Sequence, residues 1–274
     1  MDELLYDYYK YLQSTDMSHL SVETYMYDIK NFFEFVQNKK IDLDNLNDKD
    51  LKQYKDYLHK KGMEITSINK NIVAVNHFLK SQGIVNVKVK QEKFQRQNFL
   101  DDVFTTEDIK KMMDKAEMLK DYRAKAIFAT LFYTGTRVSE MLSLKVSDVN
   151  KKQIGIIGKG RKYRMIFIPE KLTVIWNEYL PYRVDKGNKL FTGQKGAITR
   201  QTVYKIIKNY AKKCDVNLER AYCHSARHLY AKNLVAKNVG LDVVADFLGH
   251  SSLQVVQIYT RRSKSELMDI VNEL

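Results

Sequence analysis

Apolar positions recur along this chain mostly at helical spacing. In residues 24–36, Tyr25, Ile29, Phe32, Phe33 and Val36 fall at i, i+4, i+7, i+8 and i+11, which is one face of a helix. Ser21 and Glu23 supply start signals just before it. Residues 67–83 repeat the pattern with Ile68, Ile72, Val75, Phe78 and Leu79, and Gly83 marks the stop. Together with helices expected over 3–13 and 48–61, these predict a small four-helix bundle in residues 1–87. Residues 88–104 lose the period and carry many charged and amide side chains, as a linker does. Thr105, Thr106 and Glu107 then open a new helix.

Helical patterns continue over 122–135, over RVSEMLSLKV (137–146), over 170–180 and over 200–213. One segment breaks them. KQIGIIGKGRKYRMIFIP (152–169) has β-branched runs on both sides of GKGRK, which predicts a strand pair with a glycine-flanked basic tip. The expected fold class is mainly α with a small β-hairpin, an α+β arrangement. It divides into a helical domain over 1–87, a linker over 88–104 and a second domain over 105–274.

Composition narrows the partners. The formal net charge is +13, and residues 101–274 hold 31 of the 46 basic and 19 of the 33 acidic side chains. Within the first part the sign flips, from 5 basic and 11 acidic residues in 1–50 to 10 basic and 3 acidic in 51–100. A cationic surface gains free energy by releasing counterions from a polyanion, so a polyanionic partner is expected. Charge alone does not separate DNA, RNA and anionic lipid. The N-terminus MDELLYDYYKYLQ does not read as a signal peptide, and no stretch approaches the roughly 20 apolar residues of a membrane helix. Two cysteines, Cys214 and Cys223, build neither a disulfide framework nor a four-ligand zinc site, which fits a reducing cytosol.

A phosphodiester is cleaved without metal when a protein supplies a nucleophile, cations for the non-bridging oxygens, an acid for the leaving alkoxide and a base for the nucleophile. The second domain offers a residue for each. Arg137, in TGTRVSEML, begins a helix, and its fork can grip a phosphate by two parallel hydrogen bonds with Glu140 bracing it from behind. Taken alone, this is a surface Arg–Glu pair. Lys159 sits between Gly158 and Gly160 at the hairpin tip, where it can reach a groove and give up a proton; taken alone, it is a solvated turn. His224 and Arg227 stand at i, i+3 on one helix side and can address one phosphate together. His250 and Tyr259 lie in LGHSSLQVVQIYTR. A free phenol has a pKa of about 10, so Tyr259 needs a base or a cationic pocket to attack at neutral pH. No metal-binding or nucleotide-binding motif accompanies the set.

The ordered series TGTRVSEMLSL, IIGKGRKYRMIFIP, TRQTVYKIIKNYAKK, CHSARHLYAKNL and LGHSSLQVVQIYTR resembles the tyrosine recombinases of the phage-integrase type, and among them the small Xer-like site-specific recombinases. The resemblance covers nearly the whole chain. It implies that Tyr259 attacks a DNA phosphodiester to give a 3′-phosphotyrosyl link and a free 5′-hydroxyl, without cofactor or metal. It implies that Arg137 and Arg227 neutralise the transition state and that Lys159 is the acid for the 5′-oxygen. His224 would assist proton transfer at the tyrosine, and His250 would hydrogen-bond a phosphate oxygen. It further implies recombination through a Holliday junction, for integration or excision of a mobile element or for Xer-like dimer resolution.

By the same resemblance the partner is double-stranded DNA, clamped by both domains, with a homotetramer in the synapse and a monomer when free. A second recombinase or an accessory DNA-bending protein is compatible with it, and no membrane is involved. The implied location is the cytoplasm, on the nucleoid of a bacterium or in a phage infection. The apolar stripe Leu267, Ile270, Val271 and Leu274 would dock the helix over 263–274 into a neighbouring protomer. Expected DNA-contact residues are Lys70 and Asn71 in the fourth helix, Arg161, Lys162 and Arg164 near the hairpin, and Arg200, Gln201, Thr202 and Lys205 in ITRQTVYKIIK. The alternatives are a type IB topoisomerase-like enzyme and a non-catalytic or regulatory DNA-binding protein on the same fold.

Overall fold

The computed structural model describes residues 2–43, 45–94, 103–157, 163–184, 187–249, 256–260, 268 and 270–273. The chain divides into two compact units, residues 1–97 and 98–274.

Four helices build the described part of the first unit: α1 (Asp2–Ser14), α2 (His19–Lys39), α3 (Asp48–Lys60) and α4 (Ile65–Ser81). The predicted stripes face inward. Ile29, Phe32, Phe33 and Val36 of α2 meet Ile68, Ile72, Val75, Phe78 and Leu79 of α4 in one core, with Tyr25 at its edge. Helix α2 starts earlier than Ser21 suggested, because the Ser18 side chain accepts a hydrogen bond from the Ser21 backbone N–H and caps the first turn. Asn47 and Asp50 cap α3 reciprocally.

Asn71 departs from its expected place at a DNA groove. It is fully buried: its amide oxygen accepts from the Tyr54 hydroxyl at 2.7 Å, and its amide nitrogen donates to Asp28 at 3.3 Å. Lys70 stays half-exposed and pairs with Asp28 at 3.2 Å. Burial pushes the Asp28 carboxyl up, against the opposing pull of Lys70. This polar knot joins α2, α3 and α4. Both its hydroxyl and its amide are satisfied inside, as buried polar groups must be.

The first unit also continues beyond residue 87. Val87 and Val89 are buried in its core. Asn76 holds Val89 by donating to its carbonyl and accepting from its N–H, both at 2.9 Å. Asn69, two turns earlier on α4, holds Glu92 the same way, at 2.9 and 2.8 Å. The start of the expected linker is therefore a strap laid along α4.

The second unit is mainly helical. Its helices among the described residues are α5 (Thr106–Met118), α6 (Tyr122–Thr134), α7 (Val138–Met141), α8 (Glu170–Tyr179), α9 (Arg200–Lys213), α10 (Cys223–Ala236) and α11 (Leu241–Leu248). Strands β1 (Gln153–Ile157) and β2 (Tyr163–Phe167) pair antiparallel, with Gln153 opposite Phe167 and Ile157 opposite Tyr163. The hairpin tip lies outside the described residues.

A second small pair, β3 (Thr192–Gly193) with β4 (Gly196–Ala197), has no counterpart in the sequence reading. The core gathers Phe128, Leu131, Leu144, Ile154, Ile166, Trp176 and Ile207 around α6. The Trp176 indole donates to the Thr130 hydroxyl at 2.8 Å, so the largest core side chain is also polar-satisfied. The helix expected over 137–146 stops at Met141. Beyond it Leu144 accepts from the Leu190 N–H and Val146 donates to Asn188, so this stretch pairs with another part of the chain. Near the C-terminus, residues 268 and 270–272 are helical, with Val271 exposed.

Candidate active site

Helix α6 ends at Gly135 in the left-handed conformation, φ +56°. A Cβ there would lie 2.3 Å from the Tyr230 ring, so only glycine fits. The turn places Arg137 as the N-cap of α7, where its backbone N–H donates to Glu140 Oε2 at 2.7 Å and its Nη1 to Oε1 at 2.9 Å. Helix α10 carries His224 in its first turn and Arg227 in the next. Arg227 is 1% exposed. Its Nη1 donates to the Gly135 carbonyl at 2.9 Å and its Nη2 to the Leu248 carbonyl at the end of α11. The Glu140 carboxylate stands 4.0 Å from Arg227.

Arg164 reaches the same carboxylate from β2. Its Nη2 donates to Glu140 Oε2 at 2.6 Å, and its Nη1 to the Phe247 carbonyl. Thus each of the last two carbonyls of α11 meets a guanidinium, a favourable placement at a helix C-terminus. Gly249 then closes α11 with φ +63°, and a Cβ there would sit 2.6 Å from Arg164 Cδ. The glycine is required twice, once by its backbone and once by the arginine crossing it.

Tyr259 lies in the short 3₁₀ turn Gln257–Thr260 and is 3% exposed. It packs with Ala231, Val244, Leu248 and Val256. Burial raises its pKa, while the charge and hydrogen bond of Arg227 and the charge of Arg137 lower it; the balance stays above the ordinary value. The phenol is therefore protonated at neutral pH and positioned against a guanidinium. His224 is lowered, first by desolvation and then by Arg227 and Arg137. Its surface remains partly open, so this desolvation is partial and the two cations add to it. Arg227 falls to about 10 through burial and the neighbouring Arg137 and Arg164. Glu140 is lowered: burial opposes ionisation, but hydrogen bonds and charge from Arg164 and Arg137 outweigh it.

Among the described residues, three guanidiniums thus surround one carboxylate. The surplus positive charge is fixed by carbonyls and by Glu140 rather than by solvent. Such preorganised cations stabilise negative charge that develops on a bound phosphate. Tyr259, Arg227, Arg137 and His224 share this one pocket. Among the described residues no group of three His, Cys, Asp or Glu could hold a metal ion, and no helix is long and apolar enough to cross a membrane.

Residues 102–266 match the model of the phage integrase family, and residues 5–81 match that of the phage integrase N-terminal SAM-like domain. The chain belongs to the phage integrase family. The tyrosine recombinase XerA of Pyrococcus horikoshii is 28% identical over 278 residues, spanning 99% of this chain and 93% of the relative. The tyrosine recombinase XerD of Staphylococcus saprophyticus is 27% identical over 293 residues, spanning 100% and 98%. Among solved structures, the XerH site-specific recombinase bound to a palindromic difH substrate, in a post-cleavage complex, aligns with TM-score 0.76 at 23% identity, over 92% of this chain and 79% of that one. A lambda integrase tetramer bound to a Holliday junction aligns with TM-score 0.74 at 15% identity, over 94% and 76%. The mainly helical fold with its small antiparallel sheet is thus that of this phage integrase family.

Within this family member, the expected site residues fall into three groups. Arg137, Glu140, His224, Arg227 and Tyr259 come together as described. Lys159, His250, Arg161 and Lys162 lie outside the described residues. Among the expected DNA contacts, Arg200, Gln201 and Lys205 are exposed at the start of α9, with Thr202 half-buried behind its cap Thr199. An open groove of about 700 Å³ is lined by Thr202 together with Lys120, Arg123 and Lys195. Arg164 is a correction: it is 6% exposed and spent on Glu140 and Phe247, so it is no surface phosphate contact.

One residue was missed. His228, one turn after His224, lies with its ring 4.5 Å from that of His224 and 5.3 Å from that of Tyr259. The i, i+4 spacing of the two histidines was the available signal.

Proposed function

We propose that this chain is a tyrosine site-specific recombinase that cuts and rejoins double-stranded DNA through a 3′-phosphotyrosyl intermediate. The observation that carries the reading is the meeting of a buried phenol with Arg227, Arg137 and His224 in one pocket of surplus positive charge. The Tyr259 oxygen attacks the phosphorus, and the bond from phosphorus to the 5′-oxygen breaks. The phenol proton passes to the histidine side of the pocket, through His224 with His228 beside it. Lys159 gives a proton to the departing 5′-oxygen. Arg137 and Arg227 hold the non-bridging oxygens, and His250 hydrogen-bonds one of them. The covalent link conserves the energy of the broken bond, so a 5′-hydroxyl from a partner strand reverses the step without cofactor. Two such rounds pass through a Holliday junction.

In this reading the first domain includes the strap through Glu92 along α4, and the catalytic domain begins at the capped start of α5. DNA is held by Lys70 from the first, and by Arg161, Lys162, Arg200, Gln201, Thr202 and Lys205 from the second. The exposed, basic first turn of α9 and its adjoining groove support that assignment. Four protomers form the synapse and exchange the C-terminal segment 263–274, whose Val271 is exposed. The task is integration, excision or dimer resolution on a bacterial or phage chromosome in the cytoplasm, with a second recombinase or a DNA-bending protein as compatible partners.

The test is a suicide DNA duplex nicked next to the cleavage position, incubated with the wild type and with Tyr259→Phe. The wild type is expected to give a covalent adduct on a denaturing gel, and Tyr259→Phe none. An adduct that persists in Tyr259→Phe removes the nucleophile assignment. Intact binding without any wild-type adduct removes the recombinase reading in favour of a DNA-binding regulator.

A further inference from the structure

A guanidinium that binds two separate elements at once does something no surface cation does. Arg164 is the second residue of β2, opposite Ile156, with a side chain that is 5% exposed. One arm of its fork holds the Glu140 carboxylate of α7, and the other holds the Phe247 carbonyl of α11. Its Cδ lies where a Cβ on Gly249 would have to go, so the backbone at the C-cap of α11 rests directly on it. Burying a cation this deeply is unfavourable unless its partners are fixed, and here both are.

The arrangement matters for Arg227. Glu140 Oε2 lies 2.6 Å from Arg164 Nη2 but 4.0 Å from Arg227 Nη1. That oxygen also accepts from the Arg137 N–H at 2.7 Å, so it is shared unequally, with Arg164 much nearer to it than Arg227. Without Arg164 it keeps the Arg137 N–H, and the buried guanidinium left facing it is that of Arg227.

We propose that Arg164 is a positioning residue for strand cleavage: it commits Glu140 away from Arg227 and seats the end of α11, so that Arg137 and Arg227 address one phosphate. The proposal rests on the recombinase reading above. It differs from the sequence expectation of a DNA-backbone contact, and the two make opposite predictions. A backbone contact governs affinity and its salt dependence. A positioning residue governs the rate once DNA is bound, because misplacing a reacting group by about 1 Å costs on the order of 100-fold.

The experiment compares wild type, Arg164→Met and Arg164→Lys on the suicide duplex. Single-turnover cleavage is followed at saturating DNA, equilibrium binding is measured across salt, and thermal unfolding is recorded alongside. Arg164→Met is expected to cleave roughly 100-fold slower at saturation with unchanged affinity and salt slope. Arg164→Lys is expected to recover part of that rate, since one ammonium reaches one partner but not both. In Arg164→Met the acidic limb of the rate profile should move to higher pH, because Glu140 has lost the partner that most favours its ionised form. A change that merely loosened the fold would move the unfolding midpoint without moving that limb.

In a Glu140→Gln background, Arg164→Met is expected to add little, because both act through one carboxylate. Should Arg164→Met not fold, Arg164→Lys alone decides, with slowed cleavage at unchanged affinity as the supporting result. Wild-type cleavage at saturation in the variants overturns the proposal while leaving the recombinase reading standing. So does a loss confined to affinity and salt slope. Absence of any wild-type adduct removes both.

Discussion

Replacing Gly135 with alanine asks one residue to satisfy two incompatible demands. The backbone there has φ +56°, and the added Cβ would lie 2.3, 2.7 and 3.0 Å from three carbons of the Tyr230 ring. The left-handed conformation costs a non-glycine residue about 1–2 kcal/mol, part of it offset by the ~0.4–1 kcal/mol that alanine removes from unfolded-chain freedom. Forcing a methyl into a filled site costs about 1–3 kcal/mol more. Tyr230 is a rigid ring packed on α10, so it cannot yield as a flexible chain would. Gly196, in the same unit, separates the two contributions: its φ is +92°, but nothing lies within 4 Å of the place its methyl would take.

Gly196→Ala therefore carries the conformational cost alone, about 1 kcal/mol. Gly135→Ala should lose about 2–4 kcal/mol in all, equivalent to a fall in Tm of ~5–15 °C for a unit of this size. Denaturant unfolding of the full chain, following the transition that reports Trp176, measures both. Because the Gly135 carbonyl accepts from Arg227, strand cleavage by the folded fraction should also fall in Gly135→Ala and not in Gly196→Ala. Equal losses in the two variants would refute the claim that Tyr230 closes this position.

Other outcomes follow from the same geometry. Asn71→Ala should destabilise the first unit by about 2–4 kcal/mol, since the Tyr54 hydroxyl and Asp28 lose their buried partner. The folded variant should bind DNA as the wild type does, and weakened binding at unchanged stability would restore Asn71 to a DNA surface. Glu140 has a folded-state pKa below its unfolded value, so its stabilisation is present above the unfolded pKa of about 4.3 and is lost as pH falls through the folded one. Glu140→Gln should therefore flatten the acid side of the stability–pH curve below about pH 4.3, and an unchanged slope would show that the carboxylate is not ionised in the fold. His224 is lowered from the ordinary imidazole value by desolvation and by Arg227 and Arg137, so it stays neutral at pH 7 and its protonation moves to more acid pH. Cleavage that needs it as a proton acceptor should decline on that acid side, and His224→Gln should remove the part of the decline that Glu140 does not set.

Much of this molecule was legible in its pattern of apolar positions, and what was missed follows one theme. The stripes of α2 and α4 were readable because they are long and regular. Asn71 lies on the α4 stripe, three residues after Ile68 and four before Val75, so its inward direction was present in the spacing and only its polarity pointed outward. Arg164 alternates with Ile166 on the inner face of β2, while Tyr163 and Phe167 face out, and again the period outweighed the side-chain type. In both cases the core supplied partners that a sequence does not display.

The early end of α7 and the pair β3–β4 had no such signal. The first depends on pairing with residues 188–190, far along the chain, and the second has strands of two residues, too short to alternate. The ordered motifs located the chemistry. They did not reveal that Glu140 serves three arginines or that His228 stands against Tyr259.

The cluster of like charges around Glu140 sets the most useful residues of this protein against its own durability. In the free protein, Arg137 and Arg164 disfavour the charge on Arg227, and a single carboxylate, Glu140, faces all three guanidiniums. Natural selection for activity and laboratory selection for heat resistance would therefore pull this site in opposite directions. A bound polyanion ends the conflict, raising the midpoint of unfolding as its concentration climbs past its dissociation constant. DNA is then more than what the protein works on: it completes the fold of the pocket.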